Sequence, residues 1–180
     1  MIFICHLFFL RNLMMIRKVT DADIVQICTI YNYYIEHTVV TFETKPITQQ
    51  EMTTRIEAIL KNGPFIVAEN EQHQVVGYAY LHPFHEREAF KHTMETSIYL
   101  DKNAQRKGYG RQLFQTLFSI ARNDYPSIHA LIACITLPNQ GSVALHEQFG
   151  FQHIARFKEV GYKFDRWLDV GYWEYLFDRT

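Results

Sequence analysis

The segment Gln105-Arg106-Lys107-Gly108-Tyr109-Gly110-Arg111 constrains this chain more than any other. It follows a strand-like run, Met94–Leu100, and opens a helix-like run, Arg111–Arg122. A glycine-spaced turn between a strand and a helix aims several backbone N–H groups in one direction. Those donors and the positive end of the helix dipole suit a phosphate or pyrophosphate. Arg106, Lys107 and Arg111 add full charges around the turn. The spacing Q-x-x-G-x-G differs from the G-x-G-x-x-G of dinucleotide folds, and it lacks the Lys-Ser/Thr ending of a nucleotide-triphosphate loop. Net charge is −1 over 180 residues, so these cations read as a local site and give no general affinity for nucleic acid.

Periodicity predicts one domain in which strands and helices mix. Ile16–Val19 reads as a strand and Asp21–His37 as a helix, with Ile24, Ile27, Cys28, Tyr31 and Ile35 at helical spacing. Val39–Phe42 reads as extended. Thr48-Gln49-Gln50-Glu51 is a capping box for a helix that Gly63-Pro64 has stopped. Phe65–Glu69 and Val75–His82 read as a hairpin, and Pro83–Lys91 as a loop before a central strand, Thr93–Leu100. A helix over Gly108–Asn123, a strand over His129–Thr136, a helix over Gly141–Phe149 and strands over Gln152–Val160 and Tyr172–Phe177 complete the chain. Hairpins first and β-α-β-α-β later predict an α/β protein of the α+β kind.

Three scattered cysteines, Cys5, Cys28 and Cys134, fit reduced thiols in a cytoplasm. Nine histidines without a ligand spacing predict no metal. Met1–Leu10 is apolar but too short to span a bilayer, and it lacks the basic flank and cleavage site of a secretory signal. Residues 1–14 are read as an extension before a domain over 15–180, and no membrane partner is expected.

A second motif follows the glycine turn at the right distance. Asn139-Gln140-Gly141-Ser142-Val143-Ala144-Leu145-His146-Glu147-Gln148-Phe149-Gly150-Phe151 is an Asn-led helix ending in Gly-Phe. Together the two elements resemble motifs A and B of the GNAT superfamily of acetyl-CoA-dependent N-acetyltransferases. The run Gly161-Tyr162-Lys163-Phe164-Asp165-Arg166-Trp167-Leu168-Asp169 narrows the resemblance to phosphinothricin and methionine sulfoximine N-acetyltransferases. It implies a mixed, mostly antiparallel central sheet flanked by helices, a homodimer, acetyl-CoA as co-substrate and a small amino acid or analogue as acceptor. A peptide acetyltransferase and a non-catalytic acyl-CoA sensor are the competing readings.

The resemblance also implies roles. Glu95 occupies the position of the family's catalytic glutamate, and strand alternation puts it on one face with Ser97 and Tyr99. His146 stands where many relatives carry a tyrosine that protonates the coenzyme sulfur, and a helix histidine satisfied by a backbone carbonyl is the competing reading. The coenzyme would lie against the main chain of Ile98, Tyr99 and Leu100, the turn residues Arg106, Lys107, Gly108, Tyr109, Gly110 and Arg111, and the helix start at Asn139 and Ser142. For both of the last two, simple N-capping is the competing reading. Phe42, Thr44, His85, Arg87, Thr96 and Ser97 are the acceptor-pocket candidates, with Arg87 as the carboxylate clamp. Glu43 and His85 replace residues that are more often basic in relatives, so the pocket is expected to be less cationic.

Overall fold

The computed structural model describes residues 15–178. The reading of residues 1–14 as an extension lies outside them. The elements run β1 (Met15–Lys18), α1 (Ile24–His37), α2 (Gln49–Leu60), β2 (Phe65–Glu69), β3 (Val75–Pro83), β4 (Thr93–Leu100), α3 (Tyr109–Asn123), β5 (Ala130–Leu137), α4 (Gln140–Gln148), β6 (Gln152–Lys163) and β7 (Arg166–Leu176). The seven strands form one sheet in the order β1-β2-β3-β4-β5-β7-β6. Only β4 and β5 pair in parallel; every other neighbour is antiparallel.

Local chemistry sets these boundaries. The Thr48–Glu51 box is made: Glu51 N–H donates to Thr48 Oγ1 at 3.2 Å and Thr48 N–H donates to Glu51 Oε2 at 2.6 Å. A single 3-10 turn over Asp21–Asp23 leads into α1, and its Asp23 is clamped by the Arg17 guanidinium at 2.7 and 2.8 Å. Arg17 also pairs with buried Glu69, tying β1 to β2. The apolar stripe of α3 buries Leu113, Phe114, Leu117 and Ala121.

The sheet divides two cores. On one face α3 packs with Ala79, Leu81, Met94, Leu131, Ala133 and Ile135. On the other, α1 and α2 pack with Phe65, Val67 and Tyr78. Odd and even residues of β4 therefore serve different layers. In the antiparallel register His82 opposes Glu95, Tyr80 opposes Ser97 and Tyr78 opposes Tyr99. These pairs share the α1/α2 face.

Two features departed from expectation. Val39–Phe42 forms bends without strand pairing. The last two strands, expected over Gln152–Val160 and Tyr172–Phe177, extend toward each other as one long hairpin, β6 to Lys163 and β7 from Arg166. Its turn places Phe164 and Asp165 at φ 50° and 55°. Ladder hydrogen bonds on both sides hold two non-glycine residues in the left-handed region.

Candidate active site

The parallel pairing of β4 with β5 runs only from Thr93–Ala130 to Glu95–Ile132. Beyond that point the strands diverge, and the second half of β4 has no strand beside it on that edge. A groove of about 610 Å³ opens there. Ile98, Leu100, Arg106, Gly108, Gly110, Arg111, Asn139 and Ser142, all expected at a coenzyme, line it together. Gly108 caps α3 at φ 86°, and a Cβ built on it would meet nothing within 4 Å. The backbone is thus bent as only glycine tolerates easily, with open space beside it.

Three members of the expected coenzyme set point elsewhere. Lys107 and Tyr109 line a separate groove with Gln26 and Asp101. The Tyr99 ring packs edge-on to Tyr31 and Tyr34 in the second core, at 5.2 and 5.3 Å. Only their main chains remain near the turn and β4 edge. Asn139 caps α4, its side chain accepting from Ser142 N–H at 3.1 Å.

Glu95 is a carboxyl in a largely dry place. Its side chain is 22% exposed, and burial lifts its pKa from the ordinary 4.5 to about 7. Around it on the same face stand His82, Ser97, Cys134 of β5 and Tyr172 of β7. Tyr172 and Cys134 are register partners and share a side-chain hydrogen bond. A cavity of about 310 Å³ adjoins His82 and is walled by Tyr31, Phe65, Tyr78, Tyr80, Met52 and Arg55. Its one cation is already engaged: Arg55 binds Glu43 at 2.5 and 3.2 Å, and Tyr31 O–H donates to the same carboxylate at 2.8 Å.

The acceptor candidates fare unevenly. Ser97 lies on the Glu95 face. Thr96 is on the opposite face, buried, with Ile132 O at 3.3 Å and His146 Nε2 at 3.2 Å. Strand alternation separates it from the pocket that was expected to include it. Phe42 and Thr44 sit in the α1–α2 loop. The Phe42 ring lies over Gly161, where any Cβ would fall 1.9 Å from the ring. His85 and Arg87 are exposed in the β3–β4 loop, where Arg87 N–H donates to His85 Nδ1 at 3.2 Å. None of these residues lines the 310 Å³ cavity. Among the described residues, however, the Arg87 guanidinium makes no ion pair.

His146 lines a small pocket with Thr96, Ser97, Asn139 and Ser142. It is 2% exposed, and burial drops its pKa to about 4. Its Nδ1–H donates to Ser142 O at 2.8 Å, which leaves Nε2 as an acceptor for the Thr96 hydroxyl. These two contacts join α4 to β4, and the backbone-carbonyl partner is the one that the hydrogen-bonding reading of this histidine expects.

Sequence reasoning missed His82, Arg55, Cys134, Tyr172 and Lys163. The signal for His82 was available in the alternation Tyr78, Tyr80, His82 along a strand that hairpins back toward Glu95. Lys163 had no such signal. It is 3% exposed, and its ammonium donates to Thr41 O at 2.7 Å across 122 residues of chain. Among the described residues no cluster of His, Cys, Asp or Glu could hold a metal, and no helix is long and apolar enough to cross a membrane.

Comparison with known proteins agrees with this geometry. Residues 16–171 match the family model described as an acetyltransferase (GNAT) domain. A phosphinothricin N-acetyltransferase of Streptomyces viridochromogenes is 38% identical over 91% of this chain and 87% of its own. An L-methionine sulfoximine/L-methionine sulfone acetyltransferase of Pseudomonas paraeruginosa is 32% identical over 92% and 95%. The crystal structure of a GNAT superfamily phosphinothricin acetyltransferase from Sinorhizobium meliloti, in complex with acetyl-CoA, superposes with TM-score 0.86 at 34% identity, covering 91% and 88%. A ribosomal-protein-alanine N-acetyltransferase from Brucella melitensis also gives 0.86, at 36% identity over 91% and 99%. By its groove, its sheet and these likenesses, the chain belongs to the GNAT family of N-acetyltransferases.

Proposed function

We propose that this enzyme acetylates the α-amino group of a small amino acid or amino-acid analogue, with acetyl-CoA as donor and Glu95 as general base. The observation that carries the reading is Glu95 itself, a carboxyl that burial lifts to about 7 where β4 and β5 part, beside the His82 that borders an aromatic cavity. A base whose pKa lies near the working pH combines availability with proton affinity.

The groove residues fit acetyl-CoA. The turn at Gly108 offers open space beside bare backbone, and Arg106 and Arg111 stand there to meet a pyrophosphate. The edge of β4 over 98–100 supplies strand-like backbone groups for the pantetheine amides, and Ser142 stands at the α4 end of the groove. The bound coenzyme supplies an electrophilic thioester carbonyl. Glu95 takes a proton from the acceptor ammonium and so exposes the amine lone pair. Burial makes Glu95 a stronger base than a surface carboxylate. Arg87, exposed in the β3–β4 loop and outside the ion pairs of the described residues, clamps the α-carboxylate of the acceptor. The exposed apolar side chains of the hairpin, among them Phe157, Val160, Tyr162, Phe164 and Trp167, cover a second copy in a homodimer. Free Cys28 and Cys134 suit a reducing cytoplasm.

A second reading, acetylation of a protein N-terminus, draws on the Brucella likeness. The small-molecule reading rests instead on the phosphinothricin and methionine sulfoximine acetyltransferases that the chain resembles over nearly its whole length. The test is acetyl-CoA turnover against free L-amino acids, methionine sulfoximine, phosphinothricin and short peptides, on wild type and Arg87→Lys. Free amino acids should react and peptides should not, and Arg87→Lys should raise KM for every amino acid by a similar factor. Preference for peptides would reject the small-molecule reading. Loss confined to phosphinothricin would reject the α-carboxylate role of Arg87.

A further inference from the structure

We infer that His82 is the proton outlet of the base: it takes from Glu95 the proton that Glu95 removes from the acceptor ammonium, and passes it to solvent. The inference rests on the assignment of Glu95 as base.

The two residues are direct cross-strand partners on β3 and β4, so their side chains leave the sheet side by side on one face. His82 Nε2 lies 3.9 Å from Glu95 Oε1, a gap that one water or a small torsional change spans. The other ring nitrogen fixes the tautomer. His82 Nδ1 sits 3.2 Å from Pro83 O, and a carbonyl only accepts, so Nδ1 carries the hydrogen. Nε2 is then a bare lone pair facing Glu95. The imidazole is 32% exposed against 22% for the carboxyl, so it is the wetter of the pair and borders the cavity.

A relay is needed because of where Glu95 sits. After each turnover the protonated carboxyl must lose its proton before it can act again. Its side chain is 22% exposed in the middle of the sheet, and bound acceptor and coenzyme would screen it further. The step balances simply. The acceptor N–H bond breaks and a Glu95 O–H bond forms. That O–H bond then breaks and His82 Nε2–H forms, giving an imidazolium with Nδ1–H still on Pro83 O. The imidazolium releases the proton to water, and both groups return to their starting forms. Burial holds the imidazole below its ordinary range, so it does not retain the proton. The other titratable groups facing the pair are Tyr80 on β3, Cys134 on β5, Tyr172 on β7, Tyr31 on α1 and the Arg55–Glu43 pair. Burial raises both Tyr80 and Tyr172, so they stay protonated at neutrality. Cys134 is raised likewise, and Arg55 is already satisfied. His82 is therefore the neighbour able to accept.

The experiment follows turnover of acetyl-CoA with L-methionine sulfoximine, across pH, in wild type, His82→Gln, His82→Ala and Glu95→Gln. His82→Gln should lower kcat about tenfold, leave the KM for acetyl-CoA unchanged, and lose most on the acid side of the profile. Added imidazole should restore His82→Ala, which a purely packing role would not allow. In parallel, ring-nitrogen NMR follows the titration of His82 in wild type and Glu95→Gln, without turnover. A coupled pair requires the His82 midpoint to move when Glu95 loses its charge. If Glu95→Gln retains turnover, the base assignment fails. If Glu95→Gln is inactive while both His82 variants keep wild-type kcat and pH profile, or if the His82 titration is identical in both proteins, the relay alone is overturned.

Discussion

Glu95→Gln should make the protein more stable and nearly inactive at once, and the size of the first effect follows from the second. The carboxyl rises from 4.5 to about 7 because burial penalises its charge. Each tenfold change in proton affinity is worth about 1.4 kcal/mol, so keeping Glu95 ionised costs the folded state up to about 3 kcal/mol. The sign follows from proton counts. Between pH 4.5 and 7 the folded state holds a proton on Glu95 that the unfolded state has released, so stability falls as pH rises through this window. Below 4.5 both states are protonated and the penalty vanishes. Glutamine has the same shape and no charge. Urea unfolding of both proteins at pH 4.5 and pH 8 measures the difference, and comparing the two pH values cancels any constant effect of the amide. Glu95→Gln should gain about 1–3 kcal/mol at pH 8 relative to its standing at pH 4.5, while turnover falls about 10²–10⁴-fold with coenzyme affinity intact. A stability difference independent of pH within about 0.5 kcal/mol would show that Glu95 is not held up by burial, and the electrostatic case for the base would fall with it.

Two further outcomes test other parts of the site. Gly108→Asp puts a Cβ at φ 86°, costing about 1–2 kcal/mol, and brings a negative charge to the phosphate position; acetyl-CoA affinity by calorimetry should collapse while the circular dichroism stays native. Trp167 is 61% exposed on the hairpin, so light scattering at micromolar concentration should give a dimer mass for wild type and a smaller mass for Trp167→Glu.

The sequence was most legible where one local rule acted alone. The capping box at Thr48, the turn at Gly108 and the apolar stripe of α3 needed no knowledge of the remainder of the chain. It was least legible where pairing overruled local preference. Phe164-Asp165 lacks the Asn-Gly or Asp-Gly signature of a tight hairpin turn, so the sequence shows both ends of the β6–β7 ribbon as strands but not residues 161–171 that join them. The groove was visible because its residues cluster after two strands. The acceptor side was not, because His82, Glu95, Cys134 and Tyr172 meet only through the order of β3, β4, β5 and β7 in the sheet. His146 shows a different limit. Its residue type suits catalysis and packing alike, and its burial and its contact with Ser142 O are set by the fold rather than by the local sequence.

The Lys163–Thr41 bond has a consequence for how the enzyme is made. The loop carrying Phe42 and Glu43 is held from outside, by an ammonium on Thr41 O and by a bare Gly161 beneath the Phe42 ring. On the ribosome that loop emerges more than a hundred residues before its fastener. The α1–α2 half can bury its own core early, yet the loop over Thr41–Glu43 waits for the hairpin to arrive. The same hairpin brings Trp173 to the core under α3 and pairs along β5, so a cut that frees it loosens the loop on one face of the sheet and the core on the other.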